Sequence, residues 1–308
     1  YGCPDLVAAA LHAGAVPVLV DCSPHDPGFD LELLQNTLSA RTAAVVAVNF
    51  LGLRERLREI AAICQPAGVV LIEDAAQWFP EGEDETPVDL RVLSFGRGKP
   101  VNLLGGGALL LRDGRELPLG VPVSVQPPLG AMAPGIFNAL MHPMCFGMLS
   151  RVPGLGIGET RLHMLQSVRR MDPKRLARLG TAVAAWTSSE RWREDRLHAL
   201  VSRFDAFDDL TVRLAGRAGR LLRFPILSHG AADRDAALSA LVDLGASPFY
   251  GAALPDIPGV APLLGNQPRK DGAQAFARRL LTLPVHAGVR EQDIDLMGRR
   301  IAALAAHD

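Results

Sequence analysis

The sequence predicts an α/β chain, a mostly parallel sheet followed by a smaller α+β unit, and three observations predict it. Short apolar runs at Val16 to Val20, Ala43 to Phe50 and Val69 to Glu73 alternate with amphipathic helical stretches. Nearly unbroken apolar strands of this kind belong to parallel sheets covered on both faces. Two later runs, Leu90 to Phe95 and Ala108 to Leu111, extend the pattern. Polar residues then stand where the runs end, at Asn49, Asp74 and Ser94, and such sheets bind ligands beyond the carboxyl ends of their strands.

Taken in order, Asp5 to Ala13 reads as a short helix stopped at Gly14, and Val16 to Val20 as a buried strand closed by Asp21. Ser23 to Asp30 holds two prolines and reads as a turn. Leu31 to Ser39 is helical, with Leu31, Leu33, Leu34 and Leu38 on one face. After the strand at 43–50, Arg54 to Cys64 is an amphipathic helix with Leu57, Ile60, Ala61 and Cys64 inward, stopped by Pro66 and Gly68. Leu117 to Gly158 is rich in proline and glycine and gives no clear elements, yet keeps many apolar residues, as a functional or interfacial connection does. Its apolar segment Ile136 to Leu149 is too short to span a bilayer and reads as a buried or partner-facing helix pair. Helical periodicity returns from Met171 to Phe207 behind an Asp172-Pro173 start. Leu176, Leu179, Val183 and Trp186 share one face of it. Leu221 to Leu227 and Leu280 to Leu283 read as strands, and Ala232 to Leu244 and Glu291 to Ala306 as helices. The expected units are 1–115, a connection with linking helices at 116–204, and a small α+β unit at 205–308.

The 308 residues carry a net charge of −1, so no basic field exists to hold nucleic acid or an anionic membrane. The cysteines, Cys3, Cys22, Cys64 and Cys145, have neither CxxC nor Cys/His spacing. Neither zinc nor a disulfide framework is indicated, and a reducing cytoplasm is the expected compartment. No signal peptide is visible, and the opening YGCPDLVAAALHAG reads as the middle of a domain.

The chemistry gathers between Val69 and Leu111. The chain has three lysines, and one of them, Lys99, sits in a glycine-rich loop between two apolar runs. An acid, a glutamine, a serine and a lysine at strand ends are what pyridoxal phosphate requires. A buried carboxylate, Asp74, can keep the pyridine nitrogen protonated, because an opposite charge favours the protonated form. Lys99 can hold the aldehyde as a Schiff base. Ser94 and the glycine-rich backbone can hold phosphate. Gln77 can bond the ring's phenolic oxygen or pack on its face. Singly, each has a plainer reading: a helix cap or turn for Asp74, a solvated loop lysine for Lys99, a turn former for Ser94. GRGK lacks P-loop spacing, and the glycines at 105–107 lack the dinucleotide pattern.

AGAVPVLVD, RTAAVVAVNFLG, VLIEDAAQ, LSFGRGKPVNLLGGGALLL and LLTLPVHAGVREQDID together resemble the pyridoxal-phosphate-dependent sugar aminotransferases of the DegT/StrS type, within the fold type I architecture of aspartate aminotransferase. The resemblance implies that Asp74 pairs with the pyridine nitrogen, Gln77 meets the ring oxygen, Ser94 binds phosphate, and Lys99 forms the Schiff base and moves the substrate proton. It implies an amino-acid donor such as glutamate, a keto acceptor on a nucleotide-linked sugar, and a homodimer whose subunits share sites. It further implies a phosphate loop before Tyr1, with Tyr1 or a neighbour near the stacking position on the ring. Asn49, a candidate cofactor contact, stands where the family usually has histidine, and Arg161 is a candidate substrate or partner contact. His286, in LPVHAG, reads as a turn residue. Two rival readings remain at this point, an eliminating or dehydrating relative and a non-catalytic dimeric one.

Overall fold

The computed structural model describes residues 1–82, 85–112, 124–128, 130, 160–165 and 167–305. The segment Ile136 to Leu149 and most of the 117–158 connection lie outside the described residues. The chain begins with helix α1 (Pro4–His12), a hairpin of β1 (Cys22–Ser23) and β2 (Asp26–Phe29), and α2 (Leu31–Thr37). β3 (Ala44–Val48), α3 (Leu57–Cys64), β4 (Val70–Asp74), β5 (Leu90–Ser94) and β6 (Gly107–Leu111) follow. β3, β4 and β5 are parallel neighbours, and β6 closes the four-stranded sheet antiparallel to β5. That reversal needs a close backbone approach at Gly107, where a Cβ would lie 2.5 Å from the Leu93 carbonyl oxygen. One face of the sheet packs Val45, Ala47 and Leu71 on Leu57, Ile60, Ala61 and Cys64 of α3, as the helical periodicity predicts.

The chain continues through α4 (Pro173–Thr187) and α5 (Trp192–Val201). β7 (Phe207–Asp209), α6 (Leu210–Arg213), β8 (Arg223–Ser228) and α7 (Ala231–Leu241) come next. The last elements are α8 (Ala261–Leu264), α9 (Asp271–Arg279), β9 (Leu280–Pro284) and α10 (Glu291–Ala305). β7, β8 and β9 form an antiparallel sheet. Its core joins Phe224, Ile226, Leu281 and Leu283 to Leu197 of α5, Leu241 of α7 and Met297 of α10. A third cluster, with Phe50, Leu51 and Leu53 on one side and Leu210, Leu227, Phe276 and Leu280 on the other, joins the two sheets.

Four expectations need correction. Val16 to Val20 forms no strand, and Val16 and Val18 are exposed. Pro17 has no N–H to give a ladder. The Gln267 amide serves the backbone instead, accepting from Leu19 N–H and donating to the Pro17 carbonyl, both at 2.8 Å. Asp21 does not close a strand. Its carboxylate accepts the Gly272 and Ala273 N–H groups at the start of α9, where a helix leaves donors unsatisfied. The helix expected from Arg54 begins at Leu57, because the Arg54 carbonyl, which would accept the first helical bond, is taken by Arg217 Nε–H. The stretch from Met171 forms linking helices as expected, but Leu176 is turned outward while Leu179, Val183 and Trp186 pack inward. Asp172 does cap its start, accepting the Lys174 and Arg175 N–H groups.

Candidate functional site

The parallel register brings the strand ends together. Asp74, the last residue of β4, lies opposite Val48 on one side and Val92 on the other. Side chains alternate along a strand, so Ser94, two residues past Val92, shares the face of Asp74. After Ser94 the chain turns through Gly96, whose Cβ position lies 3.4 Å from Ser94 Oγ and 3.8 Å from Lys99 Cγ. The serine hydroxyl and the half-buried Lys99 side chain therefore flank the same turn. Ser94 Oγ accepts the Gly96 N–H at 3.3 Å.

Burial pushes the Asp74 carboxyl above its ordinary value; the Ala76 N–H, 2.9 Å from Oδ1, and the Lys99 ammonium pull it back, while Glu73 adds to the rise. Gln77 is buried. Its Oε1 accepts the Leu51 N–H at 3.1 Å, and its Nε2 donates to Tyr250 Oη at 2.6 Å.

Asn49 and Tyr1 are placed differently. Asn49 is wholly buried, with Nδ2 donating to Glu73 Oε1 at 2.7 Å and Oδ1 accepting the Glu55 N–H at 2.9 Å. Its amide is thus engaged on the α3 side of the sheet. The Tyr1 ring stands edge-on to Phe50 and Phe276, with centroids 5.5 and 5.0 Å away. Its hydroxyl donates to the Pro248 carbonyl and accepts the Tyr250 N–H. Arg161 is exposed, at the rim of a cleft that includes Phe249 and Tyr250. His286 occupies an exposed turn, where Nδ1 accepts the Gly288 N–H at 3.1 Å.

Two features escaped the sequence reading. The first is Tyr250. The chain has only two tyrosines, and the hydroxyl of one meets the backbone of the other, so their scarcity was a usable signal. The second is a buried ionic cluster behind Asp74. Glu73, with no exposure, lies 2.5 Å from Arg91 Nε and 3.5 Å from Arg54 Nε. Both guanidinium groups lie over Trp78, 4.6 and 5.6 Å from the ring centroid. The signal was a pair of charges inside otherwise apolar strands. Among the described residues no group of three metal-ligating side chains comes together, and no helix is long and apolar enough to cross a membrane.

A mostly parallel sheet joined to a smaller antiparallel sheet is the architecture of pyridoxal-phosphate fold type I. Residues 6–117 match the model of the DegT/DnrJ/EryC1/StrS aminotransferase family. Among curated relatives, UDP-2-acetamido-2-deoxy-3-oxo-D-glucuronate aminotransferase of Pseudomonas aeruginosa is 32% identical over 108 residues, 34% of this chain and 30% of that protein. The UDP-N-acetyl-3-dehydro-alpha-D-glucosamine 3-aminotransferase of Acidithiobacillus ferrooxidans is 28% identical over 113 residues, 35% of this chain and 31% of that one. The chain thus spans about a third of the length of these relatives. Among solved structures, the aminotransferase TlmJ of Streptoalloteichus hindustanus superposes with a TM-score of 0.69 at 23% identity, covering 97% of this chain and 76% of that one. Helicobacter pylori PseC, an aminotransferase involved in the biosynthesis of pseudoaminic acid, gives 0.69 at 16% identity with the same coverage.

Proposed function

We propose that this chain carries the site of a pyridoxal-phosphate-dependent aminotransferase that moves an amino group from an amino acid, glutamate, to the keto group of a nucleotide-linked sugar. The observation that carries the reading is the convergence of Asp74, Ser94 and Lys99 on one end of the parallel sheet. The named activities of the sugar aminotransferase relatives support the substrate class. The reading includes a cytoplasmic homodimer, which the family resemblance supports.

The residues fit the cofactor. Asp74 is buried at a strand end and already feels the Lys99 charge, so a protonated ring nitrogen would relieve the cost of burying its carboxylate. When bound, the cofactor supplies an electron sink for negative charge on the carbon bearing the amino group. Asp74 would hold the proton on the ring nitrogen. Lys99 Nζ would bind the aldehyde carbon and, once displaced by the amino donor, move the substrate proton. The Ser94 hydroxyl would hold phosphate, and the second Nε2–H of Gln77 would donate to the ring oxygen. Asn49 would act one layer back, bracing Glu73 and the start of α3, and Tyr1 would brace the loop carrying Tyr250.

Borohydride reduction of the protein incubated with pyridoxal phosphate, followed by peptide mapping, tests the reading. A reduced adduct on Lys99, lost in Lys99→Arg, is expected. An adduct elsewhere, or none, removes the proposal.

A further inference from the structure

Gln77 is held by two partners from different parts of the chain. The Leu51 N–H, buried and therefore in need of an acceptor, bonds Oε1, while the phenol of Tyr250, which follows β8 and α7 in sequence, accepts from Nε2. Both partners sit beside strained backbone. Leu51 has φ 55° and Phe249, next to Tyr250, has φ 60°, values non-glycine residues seldom adopt. Each is pinned by a further hydrogen bond. The Leu51 carbonyl accepts the Leu222 N–H, and the Phe249 N–H goes to Ser247 Oγ. The Tyr250 N–H is in turn held by the Tyr1 hydroxyl. One partner fixes the oxygen of the carboxamide and the other fixes its nitrogen, so its plane and its O/N orientation are both set. One Nε2–H remains to be offered to a ligand.

We propose that Tyr250 is a positioning residue of this site, locking the Gln77 carboxamide so that its second Nε2–H is presented to the cofactor's ring oxygen; the second half of this statement rests on the cofactor reading above. Tyr250 is suited to the task because its phenol, on a half-buried side chain, stays protonated and neutral. Burial first, then the neighbouring Cys3, Asp74 and Tyr1 groups, push it well above the ordinary tyrosine range, against the bond from Gln77. It also ties the small sheet's loop to the floor of the site, so that the position of one unit is felt by a single amide in the other.

The test has two arms. In cofactor-free, isotope-labelled protein, Tyr250→Phe should speed hydrogen exchange of the Leu51 amide roughly threefold to tenfold, because Gln77 is freed to rotate. The Ile226 and Leu283 amides should not change, which separates the loss of a clamp from general loosening. In titrations with pyridoxal phosphate, Tyr250→Phe and Gln77→Leu should each weaken binding by roughly threefold to tenfold. The double variant should be no weaker than Gln77→Leu alone, since the tyrosine acts through the amide. Unchanged Leu51 exchange, or additive losses of affinity, would overturn the proposal. If the parent protein forms no Lys99 adduct, the cofactor reading fails, and the exchange arm still decides whether the clamp exists.

Discussion

The two sheets of this protein solve different problems. In the three-stranded sheet every residue of β9 is buried, and Phe224, Ile226, Leu281 and Leu283 have no exposure. Its interior is mostly aliphatic and is covered by α5, α7 and α10. The four-stranded sheet instead buries Asn49, Glu73, Asp74 and Arg91 at or near its strand ends. On the α3 side these groups satisfy one another. On the other side Asp74 has one backbone N–H and a lysine charge against a large burial cost. Val92 and Leu109, paired across β5 and β6 on that face, are 38% and 40% exposed. The first sheet is built for cohesion; the second keeps a charged, incompletely compensated end, the arrangement expected where a ligand completes the site.

Three substitutions would sharpen or break this contrast. The largest effect is expected in the small sheet: Phe224→Ala should cost about 3–5 kcal/mol, because a fully enclosed ring leaves a cavity its neighbours cannot fill. Denaturant titration measures it, and a loss under about 1 kcal/mol would show that this core is not the cohesive one. Next comes the satisfied side of the large sheet. Glu73→Gln removes the carboxylate facing Arg91 and Arg54 and should cost about 3 kcal/mol, read by the same titration. A neutral result would mean that the hydrogen bonds of Asn49 and Arg91, rather than charge, hold this layer.

The smallest effect has the opposite sign. The folded Asp74 value lies above the ordinary 3.8, so between the two values the folded chain holds more protons than the unfolded one. Stability contributed by this group is therefore full below 3.8 and lost as pH rises through the folded value. Asp74→Asn should raise the melting temperature of the cofactor-free protein at neutral pH, with the gain fading below about pH 4, while Lys99 labelling by the cofactor falls. A melting temperature lowered at neutral pH would show that Asp74 is structurally satisfied and that the contrast between the two faces is false.

Much of this was legible from residues alone, for identifiable reasons. The buried face of α3 followed from 3.6-residue spacing, and β3, β4 and β5 from their continuous apolar runs, although the face carrying Val92 and Leu109 is partly open. The run at Val16 to Val20 misled for the same reason. Apolar composition marks a segment suited to a sheet, but only a neighbouring edge makes it a strand, and here a glutamine far along the chain takes the backbone bonds. Asn49 shows the limit at the site itself. Its place beside Phe50 and Gly52 at a strand end marked it as a ligand contact, yet strand parity turns its amide toward Glu73 and α3. Whether a polar side chain at a strand end faces the ligand or the layer behind depends on one residue of register.

The sequence by itself determined the class of fold, and it placed Asp74, Gln77, Ser94 and Lys99 at strand ends and in one loop, because their spacing lies within contiguous stretches that carry their own strand and loop chemistry. Tertiary structure alone decided which side chains meet across the chain. It set Tyr250 on Gln77, Tyr1 on the loop before Tyr250, and Glu73 between two arginines on a tryptophan. Those contacts join residues far apart in sequence through hydrogen bonds a few ångströms long. No local pattern encodes such a distance; it appears only when strands and loops are packed against one another, within the large sheet for Glu73 and between the two sheets for Tyr250.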